Sequence, residues 1–152
     1  MTKKKDICES GPGRSIKIRR LLAKRTEDAW KSIPHFHVTM TVDMTDVIRF
    51  RQDLGMTIND FILSAVTQAL KEHPWVNSFW NGEQGVEIDS IGLAMAVATD
   101  CGLYYPVLKD CEKLGLKQIS RVAREMAGKA HRQTLSEEDR TGGTFTVTNM
   151  GM

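Results

Sequence analysis

Hydroxyls on a short threonine run, four histidines and three cysteines are the side chains of this 152-residue chain that could do chemistry. In the stretch GGTFTVTNMG, Thr144, Thr146 and Thr148 alternate with Phe145 and Val147, the period-two pattern of a half-buried strand. Asn149, Met150 and Gly151 follow as a turn. Imidazoles titrate near neutrality and can carry protons. Two of them, His35 and His37, fall in HFHVTMTVD, where a histidine is ordinarily a hydrogen-bonded structural residue. Cys8, Cys101 and Cys111 are an odd set with no CxxC pair, which disfavours a disulfide framework and a zinc site. No base stands beside any of them in sequence to make a reactive thiolate.

Charge narrows the partners. Lys+Arg 21 against Asp+Glu 19 leaves a net charge of +2, too small a field to capture nucleic acid, and no membrane partner is expected either. The basic cluster Lys3, Lys4, Lys5, Arg14, Lys17, Arg19, Arg20, Lys24 and Arg25 lies in good part on an N-terminal tail, where solvated charge is ordinary, with contact to the phosphates of a phosphorylated cofactor as the lesser alternative. No apolar stretch approaches the roughly 20 residues of a membrane span, and MTKKKDICES lacks the apolar segment of a signal peptide. Together with the cysteine usage this predicts a cytoplasmic protein.

The elements that must position these groups follow from periodicity. Residues 1–15, with Gly11, Pro12 and Gly13, read as a flexible arm ahead of one domain, 16–152. Ile18, Leu21, Leu22, Arg25 and Ala29 predict a helix ending before Pro34. Phe36, Val38, Met40 and Val42 alternate with His37, Thr39, Thr41 and Asp43, predicting a strand with one dry face. Thr45 is placed to cap a short helix closed by Gly55. Thr57 and Asp60 resemble a capping box, opening a helix striped by Phe61, Ile62, Ala65, Val66, Ala69 and Leu70 and ended by Pro74. IGLAMAVAT is apolar enough for a central strand and LYYPVLKD for its neighbour. Ile119, Val122, Ala123, Met126 and Ala130 mark a last helix, and Ser136 with Asp139 caps a turn before the final strand. Trp30, Trp75 and Trp80 read as core or interface.

Interleaved helices and strands predict an α/β (α+β) class, a two-layer sandwich with helices on one face of a mixed sheet. The strands are too few to flank both IGLAMAVAT and TFTVT. The chain is therefore expected to self-associate, or to be stable with a partner that completes the sheet.

Taken together and in order, IRRLLAKR, SIPHFHVTMTVDMTDV, MTINDFILSAVTQALKEHPWVNS, IGLAMAVATDCGLYYPVLKD and GGTFTVTNMGM resemble the catalytic domain of the 2-oxo acid dehydrogenase dihydrolipoamide acyltransferases, from Ile16 onward. The resemblance implies the fold of chloramphenicol acetyltransferase with its C-terminal part missing. It also implies a trimer-based homo-oligomer within a dehydrogenase complex, and acyl transfer between dihydrolipoamide and coenzyme A, the lipoyl group arriving from another domain or chain. Thr148 stands where relatives often have Ser as the hydroxyl that stabilises the oxyanion, and Asn149 follows as in the family. His35 and His37 are implied as substrate-channel residues. Asp100 and Cys101 replace a common Pro and small residue, and Thr26 replaces a common Met.

The family's general base lies in a His-x-x-x-Asp-Gly motif. Four residues after His35, His37, His73 and His131 stand Thr39, Thr41, Asn77 and Leu135, so the general-base His is absent from the chain. The expectation is an acyltransferase part whose His comes from a partner chain carrying the missing C-terminal half, and which alone is inactive. The alternatives are a catalytically inactive structural or regulatory subunit and a truncated product.

Overall fold

The computed structural model describes residues 12–151, with side chains from Arg19 onward. They fall into two compact units, a smaller one of residues up to Asp43 with Asp100–Gly102, and a larger one of Met44–Thr99 and Leu103 onward.

In the smaller unit, α1 (Pro12–Ser32) begins inside the stretch expected to be a flexible arm; residues 1–11 lie outside those described. Its stripe forms but is not packed, with Leu21 54% and Leu22 44% exposed. Phe36, Val38, Met40 and Val42 form no strand, and the face expected to be dry is open, Phe36 being 83% exposed. Alternation offers an apolar face but supplies no backbone partner, and a strand requires one for its N–H and C=O groups.

The larger unit holds the core. α2 (Thr45–Phe50) is preceded by Met44 at its cap, so Thr45 does not cap it. The helix ends at Phe50, short of the expected Gly55, which at φ +62 closes the turn that follows. Thr57 and Asp60 form the predicted capping box at the start of α3 (Ile58–Glu72): the Thr57 N–H donates to Asp60 Oδ2 at 2.8 Å, and the Asp60 N–H donates to Thr57 Oγ1 at 3.3 Å. The buried face of α3 is Asp60, Leu63, Thr67 and Leu70, rotated from the predicted stripe. Two polar residues belong to it because both are satisfied locally; Thr67 Oγ1 donates to the Leu63 carbonyl at 2.8 Å.

Sequence reasoning missed the next feature. β1 (Ser78–Trp80) and β2 (Gly85–Glu87) make an antiparallel hairpin. Its signal was Asn81-Gly82, a strong hairpin dipeptide; Gly82 has φ +106, and Asn81 Oδ1 accepts from the N–H groups of Glu83 and Gln84. Buried Asn77 ties the hairpin's base, donating from Nδ2 to the carbonyls of Ile88 and Ser90. Trp75 and Trp80 are each 69% exposed here and Trp30 65%, so none is a core residue.

IGLAMAVAT divides at Ala96 into β3 (Leu93–Met95) and β4 (Val97–Thr99). LYYPVLKD divides likewise into β5 (Gly102–Tyr104), which pairs with β4, and β6 (Val107–Leu108). Pro106 between them has no N–H for a ladder, yet its carbonyl accepts from Met95 N at 3.0 Å. The principal sheet has the order β6-β3-β7, where β7 is Phe145–Val147. β3 runs antiparallel to β6 and parallel to β7, with Leu93 opposite both Leu108 and Phe145. It is buried along its length and central, as its composition predicts, within the expected mixed sheet. Among the described residues β7 pairs with β3 alone.

Leu63 and Leu70 of α3 join Leu93, Met95 and Leu108 of the sheet and Ile119, Ala123 and Ala130 of α4 (Leu116–His131) in one cluster. The α4 stripe is the predicted one. Beyond it, Ser136 and Asp139 form the expected cap: Ser136 N donates to Asp139 Oδ2 at 2.9 Å, and Asp139 N donates to Ser136 Oγ at 3.1 Å. Lys129 of α4 reaches Asp139 Oδ1 at 3.2 Å.

The Ser136 backbone N–H is the main cause holding the Asp139 carboxyl below the usual carboxylate range. A depressed carboxylate stabilises the fold above its unfolded pKa, and that contribution fades as pH falls through the folded value. Asp139→Asn should therefore lower stability at neutral pH and flatten its fall on acidification, read by urea unfolding from pH 7 to pH values below the ordinary carboxylate range, about 4.

Gly92 gives a sharper prediction. A Cβ there would lie 2.0 Å from the Gly142 carbonyl oxygen, a backbone atom with nowhere to go. Gly92→Ala should cost roughly 1–3 kcal/mol of unfolding free energy by forcing β7 away from β3, while Gly85→Ala, whose nearest atom is 3.7 Å away, tests for a general loss of glycine.

Candidate functional site

β7 carries the threonine run, and its parallel pairing with β3 sets where the run ends. Gly92 and Thr144 join the two strands at their start. The Gly92 N–H donates to Thr144 Oγ1 at 3.1 Å, and the Gly92 carbonyl accepts from Thr144 N at 2.8 Å and Phe145 N at 3.1 Å. At the other end Met95 lies opposite Val147, and Ala96 N donates to the Val147 carbonyl at 3.0 Å. Thr148 and Asn149 thus emerge together at the C-terminal end of a parallel pair, the end at which such sheets commonly hold ligands.

Thr148 is exposed. Asn149 is tied on both sides of its amide: Nδ2 donates to Asn59 Oδ1 at 2.7 Å, and Oδ1 accepts from Gly151 N at 2.8 Å. Asn59 stands in the first turn of α3, between the Thr57 and Asp60 partners of the capping box. A cavity of about 330 Å³ opens beside it, lined by Asn59 and Leu63 of α3, Met95 to Ala98 along the strand ends, and Arg124 and His131 of α4. Arg124 is itself held, Nη2 donating to Ser120 Oγ at 2.7 Å.

The other expected site residues lie elsewhere. His35 and His37 are exposed and belong to the smaller unit, where the His35 ring stacks on Trp30 with centroids 5.0 Å apart. The fold therefore groups Thr148 with Asn149 in one unit and His35 with His37 in the other. His73 caps the C-terminal end of α3. Of the basic cluster, Arg19, Arg20, Lys24 and Arg25 are exposed on α1; Lys3, Lys4 and Lys5 lie outside the described residues.

Sequence reasoning missed Asn59 and His131. Asn59 was hidden within a capping motif that already explained its neighbours. His131 was compared only with a motif and not with the cavity it lines.

The cysteines divide. Cys101 is disulfide-bonded, contrary to expectation. Cys111 is free and fully buried, its Sγ donating to the Leu108 carbonyl at 3.2 Å. Burial, followed by the nearby carboxylates of Glu112 and Asp110, pushes its thiol pKa up, the reverse of what a nucleophile needs.

Residues 14–152 match the family described as 2-oxoacid dehydrogenases acyltransferase (catalytic domain). The chain belongs to this family. Among its relatives, the mitochondrial dihydrolipoyllysine-residue acetyltransferase component of the pyruvate dehydrogenase complex of Schizosaccharomyces pombe is 35% identical over 143 residues, covering 89% of this chain and 30% of that protein. The mitochondrial pyruvate dehydrogenase protein X component of Mus musculus is 36% identical over 140 residues, covering 89% of this chain and 28% of that protein. The crystal structure of a probable dihydrolipoamide acetyltransferase from Listeria monocytogenes superposes with a TM-score of 0.81 at 37% identity, covering 88% of this chain and 62% of that one. The chain thus spans about 30% of the length of these curated relatives. The fold of acyltransferase catalytic domains, expected from the resemblance, is confirmed.

The cytoplasmic location is not. Both curated relatives are mitochondrial proteins, and that finding overturns the expectation. Cysteine count and spacing and the lack of an apolar span bear on disulfide frameworks and membranes, and say nothing about which aqueous compartment a protein occupies. Among the described residues no helix is long and apolar enough to cross a membrane.

The burial of Cys111 in this acyltransferase fold yields a direct test. Under native conditions iodoacetamide should leave Cys111 unmodified, and the same thiol should react fully in denaturant, with the modified peptide identified by mass spectrometry.

Proposed function

We propose that this chain is part of an acyltransferase site that moves an acyl group between dihydrolipoamide and coenzyme A, with the general-base histidine of the family's His-x-x-x-Asp-Gly motif supplied from outside these 152 residues. The observation that carries the reading is the family match over residues 14–152 together with Thr148 and Asn149 at the end of β7.

In the reaction, the sulfur of one thiol attacks the carbonyl carbon of a thioester while an imidazole removes the thiol proton. The carbonyl oxygen becomes an oxyanion, which the Thr148 hydroxyl is suited to meet as a hydrogen-bond donor. Collapse of the tetrahedral adduct restores the carbonyl and expels the other sulfur as a thiolate, which takes the proton back. Asn149, held by Asn59 and Gly151, fixes the turn that presents Thr148. His35 and His37 are proposed to line the approach of the thiols, and the exposed arginines of α1 to meet the phosphates of coenzyme A. The lipoyl group would come from another domain or chain, and the functional assembly would be a trimer-based oligomer within a dehydrogenase complex.

A second reading is a structural or regulatory subunit without turnover, kept because one relative is named a protein X component of a pyruvate dehydrogenase and not an acetyltransferase. Acyl transfer separates the two. Mixed with a protein carrying a His-x-x-x-Asp-Gly segment of this family, the chain should transfer acyl groups from acyl-CoA to dihydrolipoamide, measured by loss of the CoA thioester, and should be inactive alone. Thr148→Ala should reduce kcat by roughly a hundredfold in the mixture and Thr148→Ser only a few-fold. No turnover in any mixture, with retention in a purified dehydrogenase complex, would favour the structural subunit.

A further inference from the structure

We infer that Asn59 is a positioning residue for Thr148, acting through Asn149; this rests on the acyltransferase reading above. The contact joins residues 90 apart in sequence and is made at 2.7 Å by the side-chain amide of Asn149 donating to Asn59 Oδ1. Neither end of it is free to drift. On one side, Asn59 sits in the first turn of α3, whose start is closed by the reciprocal Thr57 and Asp60 bonds, with Asp60 2% exposed. On the other, the second atom of the Asn149 amide accepts from Gly151 N, so the amide bridges α3 and the turn beyond the strand.

Thr148 lies between that bridge and the last ladder contact of β7, the bond from Ala96 N to the Val147 carbonyl. Its backbone is thereby pinned at both flanks while its own side chain stays exposed. A hydroxyl meant to meet a short-lived charge needs this arrangement: donors stabilise a transition state to the extent that they are already in place, and a misplacement of about 1 Å costs roughly a hundredfold. Loss of the Asn59 acceptor would release the turn and with it the direction of the hydroxyl. The bridge is solvent-exposed, so its contribution to global stability is small, and its effect should appear in the turnover step.

Two substitutions and two readouts test this. Asn59→Ala removes the acceptor, and Asn59→Asp keeps an oxygen in the same place in a helix first turn that favours negative charge. In the active mixture Asn59→Ala should lower kcat by roughly ten- to a hundredfold with KM for acyl-CoA within about twofold, and Asn59→Asp should recover most of the loss. The melting temperature should be the same for all three proteins within a few degrees. Equal kcat for the parent and Asn59→Ala overturns the assignment, as does an Asn59→Asp variant no better than Asn59→Ala.

The backbone gives a readout independent of turnover. In 15N-labelled protein, Asn59→Ala should broaden or shift the amide resonances of Thr148, Asn149 and Gly151, and Asn59→Asp should leave them near their parent positions. If the parent mixture transfers no acyl group, the acyltransferase reading fails, and unchanged resonances in Asn59→Ala would then overturn the positioning role on its own terms.

Discussion

The pairing of Gly92 with Thr144 is the constraint on which the larger unit depends. It brings together residues 52 apart through backbone and hydroxyl hydrogen bonds and sets the parallel register of β7 on β3. Closing a loop of that length is entropically costly, and it is offset where the strands meet, by burial of Leu93 and Met95 against α3 and α4. The close approach is possible because Gly92 has no Cβ. Everything downstream inherits this register: a slip of one residue would turn Phe145 and Val147 outward and remove Thr148 from the strand end.

Local signals proved readable wherever the satisfying partner was itself local. The Thr57 and Asp60 box, the Ser136 and Asp139 box, the Gly55 turn and the α4 stripe all involve groups within a few residues, so spacing suffices to find them. The α3 face departs from the hydrophobic stripe because local hydrogen bonds satisfy Asp60 and Thr67, which are buried at little cost, while Ala65 and Ala69 face solvent. Features that depend on a distant partner were the least legible. FHVTMTVD has the pattern of a strand and finds no ladder among the described residues, and the division of IGLAMAVAT at Ala96 reflects which neighbours each half meets.

The candidate site shows the same division. Thr148 and Asn149 were picked out by resemblance to the family, since a threonine ending a strand is otherwise unremarkable. Asn59 could not be, because its role exists only once α3 and β7 are side by side. His35 and His37 stand out by residue type alone, and they belong to the smaller unit while Thr148 belongs to the larger one.

Exposure of Thr148 decides what the site requires of its surroundings. A hydroxyl facing water competes with solvent for any oxyanion, and at the dielectric of water its contribution to a developing charge is a small fraction of what it becomes in a dry, enclosed pocket. The proposed function therefore places two demands on whatever meets this surface: it must bring the base, and it must exclude water from Thr148. The same covering surface could complete the ladder on the side of β7 away from β3, where no strand pairs among the described residues and where the exposed Thr148 follows the strand. One docking event would then satisfy backbone groups and create the low-dielectric environment together, which makes assembly and chemistry parts of a single equilibrium in the acyltransferase reading.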